Sequence, residues 1–291
     1  KNSGSTAMVG RVKDKVIVVT GAASGIGLGT VERLIEEGAF VLAADIQDEK
    51  GANLEARFKD RLIYRHCDVT DEAQVKAILD DAASHFGGVD GLFNNAGSAG
   101  IMSPLEEVES KDWKAIFDIL VTSVFYGTKH AVPHLAKRGG GSVVNTASIA
   151  GLEAGWGPIA YSTAKAAVIH FSKVAAAQLC AKNIRVNAIC PGLIATSIFG
   201  TALGMPREQA DQLAALIAHQ GGAAQPIGRA GQPNDIAEAV LLLMSDAGSF
   251  MTGTHLVVDG GITVGPRHAW DPAAPSPMAS IFGDAVPTPQ G

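Results

Sequence analysis

Short apolar runs rich in β-branched residues alternate with longer amphipathic segments along most of the chain. Val16-Ile-Val-Val-Thr20 stops at a glycine, as a strand buried on both faces should. It leads into Gly21-Ala-Ala-Ser-Gly25-Ile-Gly27 and then a helical pattern through Val31, Leu34 and Ile35. Phe40-Val-Leu-Ala-Ala-Asp45 is a second strand, 62–67 a third and 91–94 a fourth. Residues 142–146, 185–189 and 255–258 follow as the fifth to seventh. Helical periods fill the gaps at 71–86, where Thr70 or Asp71 could cap, at 109–137 and at 160–179. Pro133 is expected to kink or end the second of these early. Strands separated by helix-length segments predict an α/β, Rossmann-type doubly wound sheet of about seven parallel strands with helices on both faces.

Two segments break the alternation. Residues 193–225 form an apolar insertion after the sixth strand, carrying Ile198, Phe199, Leu203, Met205, Leu213, Leu216 and Ile217. Ligands of such sheets bind beyond the carboxyl ends of the strands, so this stretch is expected to act as a lid over substrate. Residues 266–291 form a C-terminal extension with six of the chain's 13 prolines, expected to form no regular helix. Residues 10–265 are then one catalytic domain. Residues 1–9 look like a disordered leader left from expression, with Met8 as the native start.

Composition narrows the class. The formal charge of −6 argues against nucleic acid or acidic membrane as partner, and no apolar run approaches the ~18 residues a membrane span needs. Cys67, Cys180 and Cys190 are scattered without a C-x-x-C spacing, which suggests buried apolar thiols in a reducing, cytoplasmic setting. His130 and His134 stand four apart on a helix, but Pro133 intervenes and no glutamate follows the first, so no metal site is expected.

The candidate chemistry begins with the first glycine turn. A strand, a glycine-rich turn and a helix N-terminus let backbone N–H groups approach a pyrophosphate. Asp45 follows Gly21 by 24 positions, near the ~20-residue offset at which a carboxylate meets the adenosine ribose. No Lys or Arg lies in Ala22-Ala-Ser24 or directly after Asp45 to accept a 2′-phosphate, which favours NAD over NADP. In Tyr161-Ser-Thr-Ala-Lys165 a phenol and an ammonium share one helix face. A nearby positive charge would lower the phenol pKa and suit it to proton exchange with an alcohol or carbonyl oxygen.

Taken in order, Thr20-Gly-Ala-Ala-Ser-Gly-Ile-Gly27, Asp68-Val69, Asn94-Asn-Ala-Gly97, Ser148, Tyr161-Ser-Thr-Ala-Lys165, Pro191-Gly192 with Thr196, and Val258-Asp-Gly-Gly261 resemble the short-chain dehydrogenase/reductase family. The resemblance covers roughly residues 10–265. It implies that Tyr161 is the acid/base, that Lys165 lowers its pKa and binds the nicotinamide ribose, and that Ser148 holds the substrate oxygen. It further implies NAD bound by Gly21, Ser24, Gly25, Ile26 and Gly27, by Asp45 and Ile46, by Asp68 and Val69, and by Asn95, Ala96 and Gly97. Tyr161, Lys165, Pro191, Gly192, Ile194 and Thr196 complete that set, with Ile194 (through its backbone) and Thr196 on the carboxamide and Asn94 bracing the sheet. One departure stands out: Leu120 occupies the place where the family commonly carries an asparagine that orders a water in a proton relay.

The activity implied is interconversion of a secondary alcohol and a ketone, on a bulky apolar or cyclic, even steroid-like, substrate. A 3-oxoacyl thioester reductase and a cyclic dihydrodiol dehydrogenase are the enzyme rivals, and an NAD-sensing binding protein the rival without chemistry. A homotetramer, or at least a homodimer, built on the helices of residues 109–137 and 158–181 is also implied.

Overall fold

The computed structural model describes residues 10–282; the leader at 1–9 and the extension beyond 282 lie outside it. Seven parallel strands, β1 (Val16–Thr20), β2 (Phe40–Asp45), β3 (Leu62–His66), β4 (Gly91–Asn94), β5 (Gly141–Thr146), β6 (Ile184–Pro191) and β7 (His255–Val258), lie in the order β3-β2-β1-β4-β5-β6-β7. The order reverses beside β1, where Val18 pairs with Leu42 on one side and Leu92 on the other. That switch point opens a crevice at the carboxyl ends of β1 and β4.

Alternate residues of β1 serve opposite faces because side chains on a strand alternate. Ile17 and Val19 join Val31, Leu34, Ile236 and Val240, which belong to α1 (Gly25–Glu36) and α9 (Pro233–Met244). Val16 and Val18 join Val75, Leu79, Leu135 and Ala176 on the other face. Those come from α3 (Glu72–Phe86), α5 (Ser123–Lys137) and α6 (Ile159–Leu179). On the first face α2 (Asp48–Phe58) lies beside β3. Asp71 caps α3, accepting from the Ala73 and Gln74 N–H groups, and Gly87 closes it with φ 85°.

The segment expected as one helix over 109–137 is α4 (Ser110–Phe117), a π-helical turn at Asp118–Thr122, then α5. Of the two outcomes expected at Pro133, an early end does not occur, since α5 runs on to Lys137. Ala131 and Leu135 are fully buried toward α3, and His130 and His134 bind Glu72 and Asp80 of α3 at 2.8 and 2.9 Å. These tertiary contacts outweigh the lost backbone bond, and they engage both histidines.

The insertion folds as α7 (Ile198–Ala202) and α8 (Arg207–Gln220). The extension does form a short helix, α10 (Pro277–Phe282), contrary to expectation. Proline is tolerated at a helix's first position, where its missing N–H would have had no partner. Cys67 and Cys190 are buried as expected, but Cys180 is exposed. Among the described residues no helix is long and apolar enough to cross a membrane.

Candidate active site

The glycine turn between β1 and α1 is shaped by sterics. Gly21 and Gly25 hold φ of 64° and 52°, which side chains rarely adopt, and a Cβ on Gly27 would lie 1.9 Å from the Gly21 carbonyl oxygen. Ser24 stands at the N-cap of α1 without capping it through its side chain. The first turn of that helix thus presents N–H groups and a positive dipole end toward the crevice. Asn95 pins the turn from β4, its amide donating to the carbonyls of Thr20 and Gly21 at 3.1 and 3.2 Å. Thr20 Oγ1 accepts from the Asn95 and Ala96 N–H groups in return. Asn94 braces the sheet through Asn145 at 2.8 Å.

At the end of β2 the Asp45 carboxylate is fixed from two sides. Ala23 N–H donates to Oδ2 at 2.9 Å, while the backbone and side-chain amides of Gln47 donate to Oδ1 at 3.0 and 3.2 Å. The carboxylate therefore faces the glycine turn, and Ile46 beside it is exposed. Asp68 holds Thr70 through its N–H and hydroxyl, and Val69 is buried behind it. A cradle that a single Cβ would fill, a helix N-terminus and a fixed acid suit a nicotinamide dinucleotide.

Ser148, Tyr161 and Lys165 meet at the carboxyl edge of β5 and β6. Ser148 accepts from the Ala150 N–H at the start of a 3-10 turn over Ile149–Gly151, and its hydroxyl lies beside the Tyr161 phenol, close enough to favour the charged form of that group. Lys165, one turn beyond Tyr161, is 4% exposed and donates to the Thr146 carbonyl at 2.5 Å. Burial pushes its pKa down to about 8. Its ammonium lies 5.6 Å from the centre of the Tyr161 ring. Burial pushes the phenol above its ordinary value, with the Ser148 hydroxyl pulling the other way. The expected lowering by Lys165 is thus not what sets the direction: the ammonium sits over the ring face, and desolvation outweighs it.

Other expected residues converge on the same edge. Gly192 packs so tightly on Asp259 that a Cβ would lie 2.6 Å from that residue's own, and Gly192 N–H donates to the Val258 carbonyl. Ile194 bridges to Gly231, and Thr196 abuts Gly25, whose added Cβ would come within 3.2 Å of its methyl. The Pro191–Thr196 segment therefore closes against the glycine turn.

Sequence reasoning missed two contributors. Thr146 matters through its backbone carbonyl, which no side-chain pattern reveals. Cys190, counted only as a buried apolar residue, lies beneath the cluster, accepting from the Ser148 N–H while burial pushes its thiol up to about 12. Leu120 lies in the π-helical turn, 1% exposed, packed with Ile116, Ala160 and Ala164. It also fills the space a Cβ on Gly97 would need, 2.9 Å away. The wall at this position is apolar.

Residues 21–263 match the family model described as enoyl-(acyl carrier protein) reductase. The cis-4-hydroxycyclohexanecarboxylate dehydrogenase of Sinomonas cyclohexanicum is 41% identical, covering 86% of this chain and 97% of its own. The cyclopentanol dehydrogenase of Comamonas testosteroni is 38% identical, covering 88% and 99%. The 3beta-hydroxysteroid dehydrogenase 2 of Eggerthella lenta is 38% identical, covering 84% and 93%. With the parallel sheet, the glycine turn and the Ser148–Tyr161–Lys165 cluster in one arrangement, the chain belongs to the short-chain dehydrogenase/reductase family and is an oxidoreductase.

Proposed function

We propose that this protein is an NAD-dependent dehydrogenase interconverting a cyclic secondary alcohol and its ketone. The observation that carries the reading is the meeting of Ser148, Tyr161 and Lys165 at the strand edge that also carries the glycine turn. The bound nicotinamide would supply the hydride acceptor for the carbinol carbon. In the reducing direction the Tyr161 phenol gives its proton to the carbonyl oxygen as the carbon gains the hydride; in the oxidising direction the phenolate takes the hydroxyl proton, and Ser148 steadies the oxygen while its charge changes. Lys165, held by the Thr146 carbonyl, offers its remaining N–H groups to the cofactor ribose and to the phenol's proton exchange. Residues 193–225, with α7 and α8, serve as the lid of a single catalytic domain.

Asp45 supports NAD because a fixed carboxylate facing the turn would repel a 2′-phosphate. The matched family's description raises an acyl-thioester reductase as a second reading; for the 3-oxoacyl kind, which draws on NADPH, the same carboxylate is unfavourable. The three relatives are named for acting on ring-bearing hydroxy compounds, which supports a cyclic substrate here. Ring alcohols and ketones assayed with NAD(H) and NADP(H) in parallel provide the test. We expect turnover with NAD(H) at least about tenfold more efficient, the ratio a ~1.4 kcal/mol difference gives. An NADPH preference would overturn the cofactor reading, and NAD binding without hydride transfer to any ring ketone would favour a sensor.

Leu120 adds a separate expectation. With an apolar side chain at this position, any water in a proton relay from Lys165 would be ordered by a backbone carbonyl or by another group such as Thr122 or Ser123. Leu120→Asn should alter the pH profile of kcat and lower stability by about 1–3 kcal/mol through a buried polar group lacking a partner. A pH profile identical to that of the parent would show that the position plays no part in proton transfer.

A further inference from the structure

Three loops leave the carboxyl ends of the neighbouring strands β4, β5 and β6, the edge that carries Ser148 and Tyr161: residues 95–110, 147–164 and 191–206. Their sequences contain no Lys, Arg or His. Their charged residues are Glu106, Glu107, Glu109 and Glu153, all exposed. The same loops expose large apolar side chains, among them Met102 at 70%, Leu105 at 67%, Leu152 at 37%, Trp156 at 43% and Leu203 at 67%. Trp156 is fixed near the chemistry, because its neighbour Gly157 abuts the Tyr161 ring and accepts from the Ser162 hydroxyl at 3.2 Å. Lys165, the cation under the pocket floor, is buried and spends a donor on Thr146.

We propose that this mouth selects uncharged ring alcohols and ketones and rejects carboxylates and the phosphate-bearing thioesters of acyl carriers. The proposal rests on the reading of Ser148 and Tyr161 as the substrate-binding centre. An anion entering between these loops gives up hydration and meets apolar surface, and none of the three loops supplies a cation to pair with it. The glutamates add a negative field, focused by the low-dielectric walls and weakened by salt. A neutral ring loses nothing electrostatically and gains burial against Met102, Leu152 and Trp156. In this respect the chain differs in preference from the relative whose name carries a carboxylate.

The test uses dead-end complexes of the protein with NAD, so that no turnover is needed. Binding of 4-oxocyclohexanecarboxamide, its methyl ester counterpart and the isosteric 4-oxocyclohexanecarboxylate is measured by calorimetry at pH 7. The amide and ester should bind at least about tenfold more tightly than the acid, the minimum expected for an unpaired charge losing water. Glu153→Lys should narrow that gap, and added salt should narrow it in the parent. An acid bound as tightly as the amide would overturn the selection rule while leaving the dehydrogenase reading intact. Failure of all three ketones to bind would instead remove the cyclic-substrate reading, and this rule with it.

Discussion

Tyr161→Phe is expected to lower kcat by about 10²- to 10⁴-fold, the range that a positioned general acid or base contributes. Dinucleotide affinity should stay within a few-fold of the parent. The phenol sits against Ser148 and above a lysine committed to a backbone carbonyl, so removing its hydroxyl deletes the proton acceptor without disturbing the ring's packing beside Gly157. Steady-state kinetics with a ring alcohol and NAD, alongside fluorescence titration of NADH, separate the two effects. Near-normal turnover would refute the assignment of Tyr161. The shifted pKa values show that the pair does not stabilise the fold. Burial raises the phenol and lowers Lys165 to about 8, so each group is poorer in its charged form than in water. For Lys165 the native state binds fewer protons than the unfolded chain between about 8 and its ordinary 10.5. Stability therefore falls as pH drops through that window and then levels off. This is the cost of burying an ammonium.

The second large effect lies on the far side of the sheet and concerns stability. Glu37, directly after α1 and 2% exposed, accepts from the backbone N–H groups of Gly10 and Arg11 at 2.8 and 3.0 Å. It also pairs with Arg11 at 2.9 Å and Arg33 at 2.6 Å, and both arginines reach Glu238 on α9. Glu37→Ala should cost about 1–3 kcal/mol, because it leaves the Gly10 and Arg11 backbone N–H groups without their acceptor and takes one carboxylate from each of two arginines that keep Glu238. Its carboxyl is held at about 2 in the folded protein against an ordinary 4.5; burial opposes this, and the combined hydrogen bonds to Arg11 and Arg33 overcome it. Since the folded value is the lower one, this stabilisation is complete above 4.5 and is lost as pH falls toward 2. Urea midpoints of the parent and variant should therefore converge as pH is lowered through that window. A gap that stayed constant with pH would refute the assignment.

The sequence carried much of the fold and the identity of the candidate site, for a local physical reason. A strand buried on both faces must be continuously apolar, a helix must repeat near every fourth residue, and a turn with φ above zero must be glycine. Those demands write themselves into residues 16–27, 40–45 and 159–179. Asp45 and the Tyr161–Lys165 spacing were readable because each depends on position along a single element.

What only the tertiary structure decided depends on groups distant in sequence. The helix survives Pro133 because α3 supplies burial and two acids that local propensity ignores. The extension's helix begins at a proline for lack of any local penalty, which its composition concealed. Thr146 and Cys190 joined the site through a backbone carbonyl and a burial environment, neither of which has a side-chain signature. The direction of the Tyr161 shift came from desolvation by the assembled cluster, whereas the sequence showed only the charge beside it. The Glu37 network joins residues 10–11, 33, 37 and 238, and only the packing of α9 against α1 brings them together.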